Sequence, residues 1–205
     1  MNSRTIIHGA HILSAIFSPF YLPVVAVIAL FTFSYLCLLP WFYKLTVLTI
    51  VYVFTALAPT VLIHMYQKHE GWLSKMPYDK NKRVVPYVIS IACYASCYYL
   101  MRLLHIPYFV GGIVVAALIV QIACAIANVW WKISTHTAAI GGIAGLLMAF
   151  ADIIGYNPVG WLCVVIILGG IVGTSRMLLR QHSLGQVVTG FLLGMVAAFV
   201  TVMVI

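Results

Sequence analysis

Acidic residues are nearly missing from this sequence: three Asp and Glu in 205 residues, against eleven Lys and Arg. Charged residues of both signs make up 7%, while 64% of the chain is hydrophobic. A water-soluble domain carries about 25% charged and 45–50% apolar residues. So little charge does not coat a soluble fold of this length, because a folded protein still presents a polar exterior. Soluble enzymes, disordered chains and ordinary nucleic-acid binders are therefore excluded. The net charge of +8 points instead to positive loops beside anionic lipid. A CxxC pair is also missing. The five Cys (Cys37, Cys93, Cys97, Cys124 and Cys163) all fall inside apolar runs. They read as small lipid-buried hydrophobes, not as disulfide partners or metal ligands.

What is present is a series of charge-free stretches. They run over 5–43, 45–67, 84–101, 103–131, 133–151, 153–175 and 181–205. A membrane-spanning helix needs roughly 20 apolar residues, so each window holds about one helix. None shows a sustained period-2 alternation, which argues against a transmembrane barrel. Helix stops stand at Pro40, Pro77, Pro107 and Pro158. The expected fold is all-α: a polytopic integral membrane bundle of about six to seven transmembrane helices, forming one domain over 1–205. Pro19 and Pro23 are expected to kink the overlong first window or to lay part of it in the interface. Arg4 followed by an apolar run also resembles a secretory signal. The run continues too far for that and lacks a small-residue cleavage site, so a retained helix is expected. Gly141 and Gly145, Gly169 and Gly173, and Gly190 and Gly194 each form GxxxG. That spacing lets helix backbones approach closely in membranes, so the last three helices are expected to pack as a compact group.

With seven crossings, loops alternate between two sides. The N-terminal side then holds Arg4, Lys68, Lys75, Lys80, Lys82, Arg83, Lys132, Arg176 and Arg180, and the opposite side only Lys44 and Arg102. The positive-inside rule makes the cation-rich side cytoplasmic. Cations also gather where a phosphate is held, and the two readings are compatible. The cation-rich side carries three polar segments: Lys75 to Pro86, Lys132 to His136, and Ser175-Arg176 followed after five residues by His182. Arg offers phosphate a planar fork, Lys a point charge, and Ser a short donor. Two His beside such a pocket divide the labour: one attacks phosphorus and the other protonates the leaving oxygen.

In these segments the chain resembles the type 2 phosphatidic acid phosphatase superfamily of integral membrane lipid phosphatases. The family pattern is KxxxxxxRP, then PSGH, then SRxxxxxHxxxD. Ser175, Arg176 and His182 fit the third motif without a gap. Ser134 and His136 fit the second, with Ile133 for Pro and Thr135 for Gly. Arg83 matches the Arg of the first, although Pro86 stands three residues on and Lys75 lies one residue outside the Lys offset; Lys82 is the other candidate. The resemblance covers about 75–190, over half the chain; it implies a phosphatase-like core over about 75–205, with 1–67 as additional N-terminal helices. It implies a metal-independent, cofactor-free phosphatase of a lipid phosphate or diphosphate, with phosphatidic acid, phosphatidylglycerol phosphate and polyprenyl diphosphate as candidates. His182 is then the nucleophile and His136 the general acid. Arg83, Arg176, Ser134, Ser175, Lys82 and Lys75 bind phosphate oxygens. Membrane lipids are the expected partners and nucleic acid is not. The resemblance implies the bacterial cytoplasmic membrane, with relatives working on its outer face, so the side of the site stays open.

One position departs from the pattern in a chemically specific way. The family Asp four residues after the nucleophile is Gln186 here. Its carbonyl is able to orient the His182 ring, but it supplies no charge to stabilise an imidazolium. A catalytically impaired relative that binds or transports lipid phosphates is the alternative function. His64 reads as an interfacial or hydrogen-bonded His, and His8, His11, His69 and His105 as loop residues. Tyr94, Tyr98, Tyr99, Trp130 and Trp131 read as interfacial aromatics, and Asp152 as a helix-end residue.

Overall fold

The computed structural model describes residues 3–33, 35–73 and 84–205. The described residues are 86% helical and contain no strands, as the composition predicts. The helices are α1 (Ser3–Ile16), α2 (Leu22–Phe33), α3 (Trp41–Tyr52), α4 (Ala58–Leu73), α5 (Val84–Leu103), α6 (Tyr108–Trp130), α7 (Thr135–Ile154), α8 (Val159–Leu178) and α9 (Leu184–Val204). A short 3₁₀ turn, Tyr35–Leu38, joins α2 to α3.

Among the described residues, five helices are long and apolar enough to cross a membrane: Trp41–His69, Tyr108–Trp130, Thr135–Ile153, Val159–Leu178 and Leu184–Val204. This is a membrane protein. The first of these joins α3 to α4 through a π-helical segment, Val53–Leu57. That wider turn lies just before Pro59, which has no N–H to give and whose ring crowds the carbonyl four residues back. α5 is a further 20-residue helix, less apolar because of its tyrosines and Arg102. The first window does not form one crossing. It breaks at 17–21, beside Pro19, into the two short helices α1 and α2. Pro40, Pro107 and Pro158 stand at the N-caps of α3, α6 and α8, where a missing N–H costs nothing.

α6 and α7 are the inner helices, with 50% and 56% of their spanning windows buried against 28% for the other three. The main core joins Val27 and Phe31 of α2, Cys97 and Met101 of α5, Val110 to Val120 of α6, Ala138 of α7 and Ala198 of α9. Lipid-facing positions carry large apolar side chains such as Phe42, Ile167 and Val196. Trp41 marks one end of the bundle, and Trp130 and Trp131 the other, all exposed. Tyr94 departs from its expected place in this belt: it is 1% exposed, packed inside the bundle. All five cysteines are free thiols.

The glycine pairs make α7 and α9 the closest-packed helices. A methyl group on Gly141 would collide with the Phe191 carbonyl, on Gly145 with that of Met195, and on Gly194 with that of Ala138. On α8, a methyl on Gly173 would lie 2.6 Å from the Val187 side chain of α9. The last three helices thus interlock through small residues, and this group carries the site.

Candidate functional site

The site lies where the N-termini of α7 and α9 meet the C-terminus of α8. Its local geometry follows from three turns. α8 closes through Arg180, whose φ is +54°. The Gln181 N–H returns to the Arg176 carbonyl (3.1 Å) and the Arg180 N–H to that of Met177 (2.9 Å). This left-handed C-terminal turn is a position that favours glycine. It throws His182 back over the end of α8. Ser183 then starts α9 with a reciprocal capping box: its side chain accepts from the Gln186 N–H, and Gln186 Oε1 accepts the Ser183 N–H at 3.1 Å. Across from it, Ser134 caps α7, with Oγ accepting the Thr137 N–H at 3.4 Å. The two caps are stitched together. The Ser134 N–H donates to the Gln186 carbonyl (3.2 Å), and Thr137 Oγ1 lies 3.0 Å from both the Ser134 and Val187 carbonyls.

His136, one residue into α7, and His182 are thereby brought to one end of the bundle, with Arg176 electrostatically coupled to both. Lys132 acts on His182 as well, while its Nζ donates to the Gln181 carbonyl at 3.1 Å. His182 is held below its ordinary pKa of 6.5, first by burial, then by the positive charges of Arg176 and Lys132. The Gln186 side chain and the Lys132 backbone oppose that shift. Three buried nitrogens, His136 Nδ1, Arg176 Nε and His182 Nδ1, have no hydrogen-bond partner among the described residues. Asp152 sits at the opposite end of α7, about 24 Å away at 1.5 Å per residue. The helix N-termini add their own positive ends. The arrangement therefore favours an anion.

The remaining predicted residues make local contacts or lie outside the described residues. Ser134 is fully buried and serves as a cap. Ser175 is buried, and its hydroxyl donates back to the Ile171 carbonyl at 2.9 Å. Gln186 is both cap and neighbour of His182. Lys75, Lys82 and Arg83 lie outside the described residues. His64, His8, His11, His69 and His105 are exposed.

The motifs gave no hint of Ser14 on α1. It is 7% exposed and accepts a 2.6 Å hydrogen bond from Arg176 Nη1. His11, Ser14, Ser18, Phe20, Tyr21, Thr60 and His136 line an open cleft of about 410 Å³ beside it, within the size range of small-ligand sites. A signal was available: His8, His11 and Ser14 recur every three residues, a polar stripe along the otherwise apolar stretch from Ile6 to Ile16. No family model, curated protein or solved structure matches the chain.

Proposed function

We propose that this membrane protein hydrolyses a lipid phosphate through a phosphohistidine. The observation that carries the reading is the convergence of His136, His182 and Arg176, each with a buried nitrogen left unpartnered. Buried polar atoms are normally paired, so three unpartnered nitrogens on electrostatically coupled side chains suit a polar ligand. In the proposed reaction a His182 ring nitrogen attacks phosphorus and the phosphorus–oxygen bond to the lipid breaks. His136 protonates the departing oxygen. Water then attacks the phosphohistidine, His136 takes its proton, and inorganic phosphate leaves. Arg176 and Lys132 counter the charge that builds on the phosphoryl oxygens. A site at the end of the bundle lets the lipid tail stay in the bilayer. The cation-rich loops favour the cytoplasmic face of the membrane.

The test is phosphate release from phosphatidic acid, phosphatidylglycerol phosphate and a polyprenyl diphosphate in detergent. His182→Ala is expected to abolish release, and His136→Ala to slow it by 10²- to 10⁴-fold, the usual worth of general acid catalysis. Parental turnover in His182→Ala would eliminate the phosphohistidine. A second reading, a lipid-phosphate-binding protein without turnover, draws on Gln186. Its neutral carbonyl already accepts the Ser183 N–H and supplies no negative charge to the imidazolium.

A further inference from the structure

The resembled motifs leave residues 1–67 outside the site, yet α1 reaches Arg176 through Ser14. Ser14 lies in the last turn of α1, where carbonyls have no further helical N–H to accept. Its hydroxyl oxygen takes the Arg176 Nη1–H at 2.6 Å, across 162 residues of sequence. Its backbone faces the His136 imidazole. Ser14 therefore touches a phosphate-binding candidate with its side chain and the proton donor with its main chain.

A guanidinium is a planar fork of five N–H donors, and fixing one donor fixes the plane. With Nη1 held by Ser14, Arg176 keeps Nε, buried and unpartnered, for a ligand. A flexible Arg at a helix end would lose rotamer freedom each time it bound an anion; here that ordering is already done. The hydrogen bond also tells against an idle surface contact, since Ser14 is buried and bonds to a charged group.

We propose that Ser14 is a positioning residue: it orients Arg176 for a phosphate, so that α1 is a wall of the anion site and not an accessory helix. The inference rests on the anion-binding half of the function proposed above and does not require turnover. It predicts an energetic coupling between Ser14 and Arg176 that a residue filling space would not show.

The test is calorimetric titration of the full chain in detergent with inorganic phosphate, run beside lipid phosphate turnover. Ser14→Ala is expected to weaken phosphate binding by about tenfold, within the 5- to 30-fold that one or two kcal/mol represents. Ser14→Thr, which keeps the hydroxyl, is expected to restore it to within about twofold. In an Arg176→Lys background, Ser14→Ala is expected to change binding no further. Where the alanine variant does not give folded protein, the nearly isosteric Ser14→Cys takes its place, since a thiol is a poor acceptor. Parental phosphate binding in Ser14→Ala, or effects of Ser14→Ala and Arg176→Lys that simply add, would overturn the proposal, as would a parent that binds no phosphate. Phosphate binding with these couplings but without turnover would leave the proposal standing and sink the phosphohistidine alone.

Discussion

Replacing Gly190 by Ala tests whether helix packing sets the geometry of the site. A methyl group there would stand 2.7 Å from the Ser134 carbonyl oxygen and 2.9 Å from Thr137 Oγ1, where ordinary contact begins at 3.4 Å. Both neighbours belong to the start of α7, and neither is the free end of a flexible side chain. α7 must retreat from α9 by about 0.7 Å, the difference of the two distances. Ser134 is two residues before His136, so the imidazole moves with its cap. Overpacking of this kind costs about 1–3 kcal/mol. Misplacement by about 1 Å can cost 10²-fold in rate, so phosphate binding and turnover are expected to suffer well beyond the stability loss. Gly170→Ala is the control, since nothing lies within 4 Å of a methyl there. It is expected to be neutral, or stabilising by up to about 1 kcal/mol through helix propensity. Thermal unfolding in detergent and phosphate titration read the two effects separately. Parental stability and parental phosphate affinity in Gly190→Ala would refute the link between the α7–α9 contact and the site.

Stability is expected to be level above about pH 6.5 and to decline below it. An unfolded His182 takes up its proton near the ordinary value, while the folded ring, with its pKa lowered, stays neutral. The unfolded state thus binds more protons as pH falls, until the folded pKa is passed. His182→Gln is expected to remove this share of the decline in a pH series of thermal midpoints, and an unaltered series would contradict it. Gln186→Glu keeps the capping box and places a carboxylate beside His182. It is expected to raise the His182 pKa, as followed by ring-proton NMR, and to add about 0.3–1 kcal/mol at the α9 N-terminus. A fixed or lowered pKa would show that Gln186 does not face the ring. Arg180→Gly relieves the left-handed residue that ends α8 and is expected to stabilise by about 1 kcal/mol; a loss in thermal midpoint would count against that strain.

The parts of the fold that were legible share one cause: they follow from short sequence spans. Charge-free windows located the long helices, because hydrocarbon excludes charge. Pro40, Pro107 and Pro158 marked boundaries, because a missing N–H is harmless only at a helix start. GxxxG on α7, α8 and α9 foretold close packing, because only a missing side chain admits a neighbouring backbone. What stayed hidden depends on which partner a residue meets. Ser134 and Ser175 look like phosphate donors in a motif. In the fold, one caps α7 and the other bonds its own helix. Tyr94 looks like an interfacial aromatic, but its register on α5 turns it inward. The split of the first window near Pro19 was foreseen only as a kink or an interfacial stretch.

Ser14 shows most clearly why spacing alone falls short. Motif reading ties residues together when they are close in sequence or recur in a known order. The 162-residue separation of Ser14 from Arg176 satisfies neither condition. Yet the physics leaves little freedom. A buried guanidinium needs an acceptor, and Ser14 supplies an uncharged one. An uncharged acceptor holds the guanidinium without neutralising it. A carboxylate at position 14 would pair with Arg176 and cancel that charge. The scarcity of acids, which first separates this chain from soluble proteins, therefore works at the scale of the site as well. It leaves Arg176 and Lys132 held by neutral oxygens, the Ser14 hydroxyl and the Gln181 carbonyl, with their charge intact.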